Sequence, residues 1–311
     1  MHLIISDSDK PFHNLAAEEF FLKQQPEEYI LLSINDTSVV SGKHQCIHRE
    51  VNSLYLYENN IPVLRRISGG GTVFHDKGNV NYCFIRNCES GKQVDFRRYT
   101  QPVIAFLHEL GVDAVLDGSD IKVNGFKISG NAEHVYRNRV LHHGTLLWNA
   151  SLERLRGSIR TDTSAYRTRA VASRPSPVTN LSSLLKSNYS AEQLRNNMAE
   201  YFSKTMKGLR FHNIPVEENI EIEKLSSKYK TWEWNYAYGP EYEFLNALVI
   251  GGKNVNCSLF VREGLIHECN IDSSSLEGVA EKLKGKRHMP SVIQEILEQS
   301  QINEIDYSVF F

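Results

Sequence analysis

Arg65-Arg66-Ile67-Ser68-Gly69-Gly70-Gly71-Thr72-Val73-Phe74-His75-Asp76 sets two arginines against three consecutive glycines, with strand-forming residues on both sides. A strand running into a glycine-rich bend turns several backbone N–H groups toward one concave point, and such a nest binds anions. The flanking arginines are of the type that pairs bidentately with phosphate or carboxylate. A tight β-hairpin, with the glycines supplying only positive φ, is the competing reading of the same residues. No Gly-Lys-Ser/Thr follows, which excludes a Walker loop, and no later glycine completes a dinucleotide fingerprint.

Working outward, Pro62 to Ile67 reads as the strand entering the bend and Asn79 to Ile85 as the strand leaving it. Asp120-Ile121-Lys122-Val123-Asn124-Gly125-Phe126-Lys127-Ile128-Ser129-Gly130 carries Asn-Gly between alternating runs, the strongest short hairpin signal. A two-residue turn there sets Val123 opposite Phe126, Lys122 opposite Lys127 and Ile121 opposite Ile128. Two lysines face to face call for water, an anion or Asp120 between them. Val140 to Trp148 is a further strand, with His142-His143-Gly144 in its interior, so something approaches the backbone at Gly144. From Arg154 to Asn180 regular patterning stops. Six arginines meet few acids, and Pro175 and Pro177 break the chain, as expected of a lid or binding loop.

His2 to Ser6 predicts a first strand, and Asn14 the N-cap of a helix whose early acids, Glu18 and Glu19, suit the positive end. Tyr29 to Ile34 and Ser38 to Gly42 predict a hairpin around Asn35-Asp36-Thr37. His44 and His48 have the spacing of two metal ligands on a helix but lack a third. Pro102 to Leu110 is helical with Gly111 as its stop, and Val112 to Leu116 is a strand. Ser190 caps a helix reaching about Lys207. Val216 to Lys230 reads as a charged bridge, followed by Trp232-Glu233-Trp234-Asn235. Three strands (Phe244 to Ile250, Asn254 to Val261, Leu265 to Ile271) then turn at Gly251-Gly252 and Glu263-Gly264. Two helices, around Leu276 to Lys284 and Ser291 to Gln299, cover them. Mixed strands and helices with short connections favour a mixed sheet covered by helices over a regular βαβ array.

The totals agree. The chain has 311 residues, 41% of them apolar, with a net charge of −2, so no global field draws it to nucleic acid or membrane. Five cysteines without a C-x-x-C pair fit free thiols in a reducing compartment. The amino terminus lacks the basic flank of a signal or transit peptide, and no apolar run approaches the ~20 residues of a membrane span, so a cytoplasmic protein is expected.

The glycine bend, Lys127-Ile128-Ser129-Gly130, His142-His143-Gly144-Thr145-Leu146-Leu147, Asn14-Leu15-Ala16-x-Glu18-Glu19 and Trp232-Glu233-Trp234-Asn235, five matches that together span almost the whole chain, resemble the lipoate–protein ligase family. The resemblance implies an α/β, mixed α+β architecture. Residues 1–228 form a catalytic domain of the biotin/lipoate-protein-ligase type, with mixed sheets and helices, and residues 236–311 a small α+β accessory domain. It implies activation of lipoate by ATP to lipoyl-AMP, then transfer to a lysine of a lipoyl domain. Implied acceptors are the lipoyl domains of 2-oxoacid dehydrogenase E2 subunits and the glycine-cleavage H protein, met by a monomeric enzyme that binds neither nucleic acid nor membrane. Lys127 is then the catalytic residue touching carboxylate and phosphate. Arg66, Gly71, Thr72, Val73, Phe74, Asp120, Lys127 and Ser129 bind the nucleotide, with Asp120 also near Mg2+. Gly69, Gly70, His75, His143, Gly144 and Thr145 line the lipoyl slot, Gly144 by leaving the acyl chain room.

Thr168 to Leu181 departs from the family's usual adenylate-binding loop. Its Ala172-Ser173-Arg174-Pro175-Ser176-Pro177-Val178-Thr179-Asn180-Leu181 run looks more like that of the animal mitochondrial lipoyltransferase, which leaves transfer from preformed lipoyl-AMP or a lipoylated carrier as the alternative. A non-catalytic lipoate or nucleotide sensor, or an RNA binder using the arginine loop, represents other classes. Octanoyl transfer through a thioester is opposed by the absence of any cysteine between Cys88 and Cys257. Biotin ligation is opposed by the lack of a Gly-Arg-Gly-Arg loop.

Overall fold

The computed structural model describes residues 1–311 except 90, 92, 93, 186–188, 213, 214, 251, 303 and 304. An eight-stranded mixed sheet forms its centre, in the order Arg210–His212, His2–Ile5, Tyr29–Ser33, Asn79–Asn87, Arg139–Leu147, Phe126–Tyr136, Asp120–Val123, Val115–Asp117. The strand His2–Ile5 pairs in parallel with both neighbours, and the remaining pairs are antiparallel. Alternation along each strand separates two faces. Val80, Tyr82, Phe84, Leu146 and Ile128 enter one core with residues of the helices Phe96–Glu109 and Ala191–Thr205. Leu31, Cys83, Ile85 and Leu141 enter the other, under the helices Pro11–Lys23 and Ile220–Lys230.

A three-stranded sheet stands beside this one, with Ser38–Ser41 between Val63–Arg65 (parallel) and Val73–His75 (antiparallel). The glycine bend therefore joins the two outer strands of a sheet and is not a tight hairpin. It arches over the end of the central strand, where a Cβ on Gly42 would lie 2.1 Å from the Gly70 carbonyl oxygen. Gly70 itself sits at φ +82°. A four-stranded antiparallel sheet closes the C-terminal region: Tyr166–Arg167, Tyr242–Ile250, Lys253–Arg262, Leu265–Ile271. The helices Glu277–Leu283 and Pro290–Gln299 cover it, and its core also takes in Cys46. Positive φ at Glu263 and Gly264 makes the expected turn, whereas the turn expected at Gly251-Gly252 includes Gly251, outside the described residues.

Several sequence expectations are corrected. Tyr29–Ser33 and Ser38–Ser41 do not pair: the chain turns a corner between them and each joins a different sheet. The first helix begins at Pro11, not Asn14, because proline's fixed φ and missing donor suit the first helical position. Asn14 instead donates to Asn35 Oδ1 (2.7 Å) and accepts from the Ser6 hydroxyl (2.6 Å). Glu18 and Glu19 consequently fall in mid-helix, away from the positive end. The charged bridge is largely the helix Ile220–Lys230, capped by Asn219, which buries Ile222, Ser226 and Tyr229. A helix Leu152–Ser158, capped by Ser151, opens the arginine-rich segment.

Candidate active site

The hairpin at Asn124-Gly125 forms with positive φ at both residues, and Lys122 stands opposite Lys127 as expected. A register shift then places Ile121 opposite Ser129 and Asp120 opposite Gly130, replacing the expected Ile121–Ile128 pair. The shift matters for charge. Asp120 Oδ1 meets Lys127 Nζ at 2.9 Å, and Asp117 meets Lys122 Nζ at 2.7 Å, so each lysine has its own acid. Gly130 makes the first pair possible, since a Cβ there would stand 2.9 Å from both Cε and Nζ of Lys127.

From Gly130 the register runs straight across the sheet through Thr145 and Asn81 to Ser33. Residues in one such row share a face, and Asp120 and these four all line a cavity of about 530 Å³. Gly70, Gly71, Thr72, Val73 and His75 form a second wall, Asn14, Leu15 and Glu18 a third. Residues 171–176, from the arginine-rich loop, line a further side as a lid segment. This lid is anchored at both ends. Ser173 Oγ accepts from the Thr72 N–H and from Gln45 Nε2, each at 3.0 Å, and the Ser173 N–H donates to Glu50 (3.0 Å). Beyond Pro177 the lid pairs with the Lys127 strand itself, Lys127 N–H to Pro177 O (2.8 Å) and Thr179 N–H to Lys127 O (3.1 Å).

Both arginines of the opening stretch donate to groups within the fold. Arg66 donates through Nη2 to the carbonyls of Gly69 (2.5 Å) and Gly71 (2.7 Å), through Nη1 to Val40 O (3.1 Å) and through Nε to Ser68 Oγ (2.9 Å). It shapes the bend from within, and burial pushes its pKa down to about 10, still cationic at neutral pH. Arg65 Nη1 reaches the carbonyls of Gly42, Lys43 and Gln45. Asn235 accepts the Arg65 N–H (2.8 Å) and the Trp234 indole donates to Arg65 O (2.7 Å), so the Trp232–Asn235 motif braces the strand that enters the bend.

Two histidines line the cavity with defined partners. Asn35 donates to His75 Nδ1 (2.9 Å), which leaves the ring proton on Nε2. Burial first, then the nearby charges of Arg66 and His143, pushes its pKa down to about 3. His143 Nδ1 donates to Glu18 (2.7 Å), and its Nε2 stands in hydrogen-bond contact with Ser68 Oγ (2.7 Å), tying the first helix to the bend.

The structure thus gathers Lys127, Asp120, Arg66, Gly70, Gly71, Thr72, Val73, His75, His143, Gly144 and Thr145 around one cavity. Three expected residues stand apart. Ser129 is fully buried on the opposite face, bonded to the Tyr82 hydroxyl (2.9 Å), because it neighbours the row that faces the cavity. The Phe74 side chain enters a small core with Val39 and Leu56, and Gly69 borders the bend without lining the cavity. At Gly144 a Cβ would meet Asn131 Oδ1 at 2.2 Å and the Tyr82 hydroxyl at 2.4 Å, so these close groups by themselves already require glycine there. Gln45 and Asn81 carry no local pattern that marks them, while Glu18 and Ser173 stand in quoted motifs with no role assigned to either side chain; the glycine inside a strand at Gly130 is the sequence signal of close approach. His44 and His48 gather no third ligand, and no group of three or more His, Cys, Asp or Glu suited to a metal occurs among the described residues.

Residues 10–203 match the family model described as the lipoyl protein ligase A/B catalytic domain. The lipoate-protein ligase LplJ of Bacillus subtilis (strain 168) is 34% identical over 305 residues, covering 93% of this chain and 90% of that protein. Lipoate–protein ligase 1 of Staphylococcus aureus (strain Mu50 / ATCC 700699) is 38% identical over 268 residues, covering 84% and 80%. Among solved structures, P. falciparum LipL1 in complex with lipoate superposes with a TM-score of 0.64 at 23% identity, over 96% of this chain and 94% of that one, a likeness of fold.

Proposed function

Since the chain belongs to the lipoate–protein ligase family, we propose an assignment of its cavity to the two half-reactions of such an enzyme. The protein is an ATP-dependent lipoate–protein ligase. One observation carries the site assignment: Lys127, paired with Asp120, ends a row of cavity residues across the sheet, with the glycine bend on one side and the lid on another.

In the first half-reaction a lipoate carboxylate oxygen attacks the α-phosphorus of ATP, and the bond to pyrophosphate breaks. Negative charge gathers on the phosphoryl oxygens, where a fixed cation stabilises it. Lys127 is that cation, oriented by Asp120, and the backbone of Gly71, Thr72 and Val73 supplies contact surface for the adenylate. Arg66 acts indirectly, by holding the carbonyls of Gly69 and Gly71 so that the bend keeps its shape. Gly70, His75, His143 and Thr145 line the lipoyl slot. In the second half-reaction the amine of an acceptor lysine attacks the acyl carbon, and AMP leaves with the bonding electrons. The lid keeps water from competing for the mixed anhydride.

Magnesium would enter with the nucleotide. Asp120 and Asp117, opposite each other in the hairpin register, would supply carboxylate oxygen, with phosphate and water completing the shell. Acceptors are lipoyl domains, including those of 2-oxoacid dehydrogenase E2 subunits and the glycine-cleavage H protein. The division into residues 1–228 and 236–311 is part of the proposal, with Tyr166–Arg167 pairing across it onto Tyr242–Ile250. No helix among the described residues is long and apolar enough to cross a membrane.

The test supplies the protein with a lipoyl domain and either lipoate plus ATP or preformed lipoyl-AMP. Modification under both conditions is expected. Modification from lipoyl-AMP alone would replace the ligase by a transferase.

A further inference from the structure

Asn81 carries a polar group that the fold leaves unanswered. It lies in the strand Asn79–Asn87, is 7% exposed and lines the cavity. Neither its amide nitrogen nor its amide oxygen has a hydrogen-bond partner among the described residues. The amides around it are engaged: Asn35 with Asn14 and His75, Asn79 with Phe74 O and Thr145. A buried amide without a partner is costly, and an amide kept that way beside a cavity points to a partner that arrives with the ligand.

The sheet register says which part of the ligand that is. Lys127's ammonium lies over Gly130, at one end of the row that runs through Thr145 to Asn81. Asn81 is two strands from Gly130, roughly 10 Å at the usual inter-strand spacing. An acyl chain with its carboxyl group at Lys127 extends over Thr145 and brings its far end to Asn81. In lipoate that end is the dithiolane ring.

We infer that Asn81 is a specificity-determining residue whose amide N–H donates to a dithiolane sulfur, so that the cavity selects lipoate over a plain alkyl acid such as octanoate. The inference rests on the ligase reading and names the feature of the acyl substrate that the slot reads. Sulfur is a weak acceptor, but an alkyl end offers none, and a site built to hydrogen-bond one substrate rejects the analogue that leaves its polar group unpaired.

The test measures kcat/KM at saturating ATP and lipoyl domain for lipoate, octanoate and the carbocyclic analogue of lipoate in which methylenes replace both sulfurs. Wild-type protein is expected to favour lipoate over both by on the order of tenfold. Asn81→Leu is expected to raise KM for lipoate and lower it for octanoate, bringing their ratio near one with kcat little changed. An unchanged ratio in the variant overturns the inference. So does wild-type protein that uses the carbocyclic analogue as well as lipoate, a comparison that stands even where Asn81→Leu does not fold. Lipoyl-domain modification by wild type with none of the three would overturn the ligase reading together with this one.

Discussion

Gly130→Ala isolates the placement of Lys127 from the stability of the strand that carries it. Gly130 is not among the positive-φ residues, so the backbone accepts alanine, and a strand interior gains about 0.5–1 kcal/mol from losing a glycine. The new Cβ would lie 2.9 Å from Cε and Nζ of Lys127, whereas ordinary contact begins near 3.4 Å, so the ammonium must withdraw by at least about 0.5 Å. The same Cβ would clear Asp120 Oδ1 at 3.9 Å, so only the lysine is pushed. A misplacement of about 1 Å costs on the order of 10²-fold in rate, and half of that about tenfold. Pyrophosphate release in a single turnover with lipoate and ATP reads the rate, and thermal melting reads the fold. A ten- to hundredfold slower burst with an equal or higher melting temperature is expected, against a loss of ~10²–10³ for Lys127→Ala. Full activity at unchanged stability would refute the assignment of Gly130 as the seat of the lysine.

Three further outcomes are expected. Ser173→Ala removes the oxygen that accepts from Thr72 and Gln45, so the lid should loosen by about 1–3 kcal/mol, seen as faster proteolysis at Arg174 and a KM for ATP raised several-fold; an unchanged cleavage rate would refute the anchor. Arg66→Lys cannot reproduce four donated bonds in a planar fork, so chemical denaturation should show a loss on the order of 3 kcal/mol, with activity falling in parallel; retention of both would place the bend's support elsewhere. Burial holds His75 near pKa 3 and His288 near 4, below the ordinary value of 6.5. As pH drops below 6.5 the unfolded chain binds protons that the folded chain refuses, so stability is full above that pH and declines toward about pH 3 to 4. Urea midpoints measured from about pH 8 to about pH 5 should fall with pH, and a flat profile would show that these histidines are not buried neutral.

Local chemistry made much of the molecule legible. Asn-Gly at 124–125 wrote its own turn, because only residues tolerant of positive φ fit there. The strands of the C-terminal sheet and the helix capped by Ser190 followed from alternation and from a capping serine, both properties of a few neighbouring residues, and the structure adds Gln193 to complete a capping box. Misreadings came where a distant partner overrides the local signal. Asn14 looks like a cap but is held inside a helix by Ser6 and Asn35, and Val216 to Lys230 looks like a solvated bridge until Ile222 and Tyr229 find the first helix.

By itself the sequence determined the turns, most element types and the residue kinds of the site: a glycine bend, a lysine beside an acid, a glycine within a strand. Tertiary structure alone decided which of them meet. The one-residue register shift after Lys122 sets Asp120 opposite Gly130, and the pleat sends Thr145 and Asn81 to the cavity but Ser129 to the core. It also turned both arginines of the opening stretch inward, onto carbonyls contributed by segments some 20 residues away. Pairing register and long-range hydrogen bonds join residues far apart in the chain, and no short stretch encodes them.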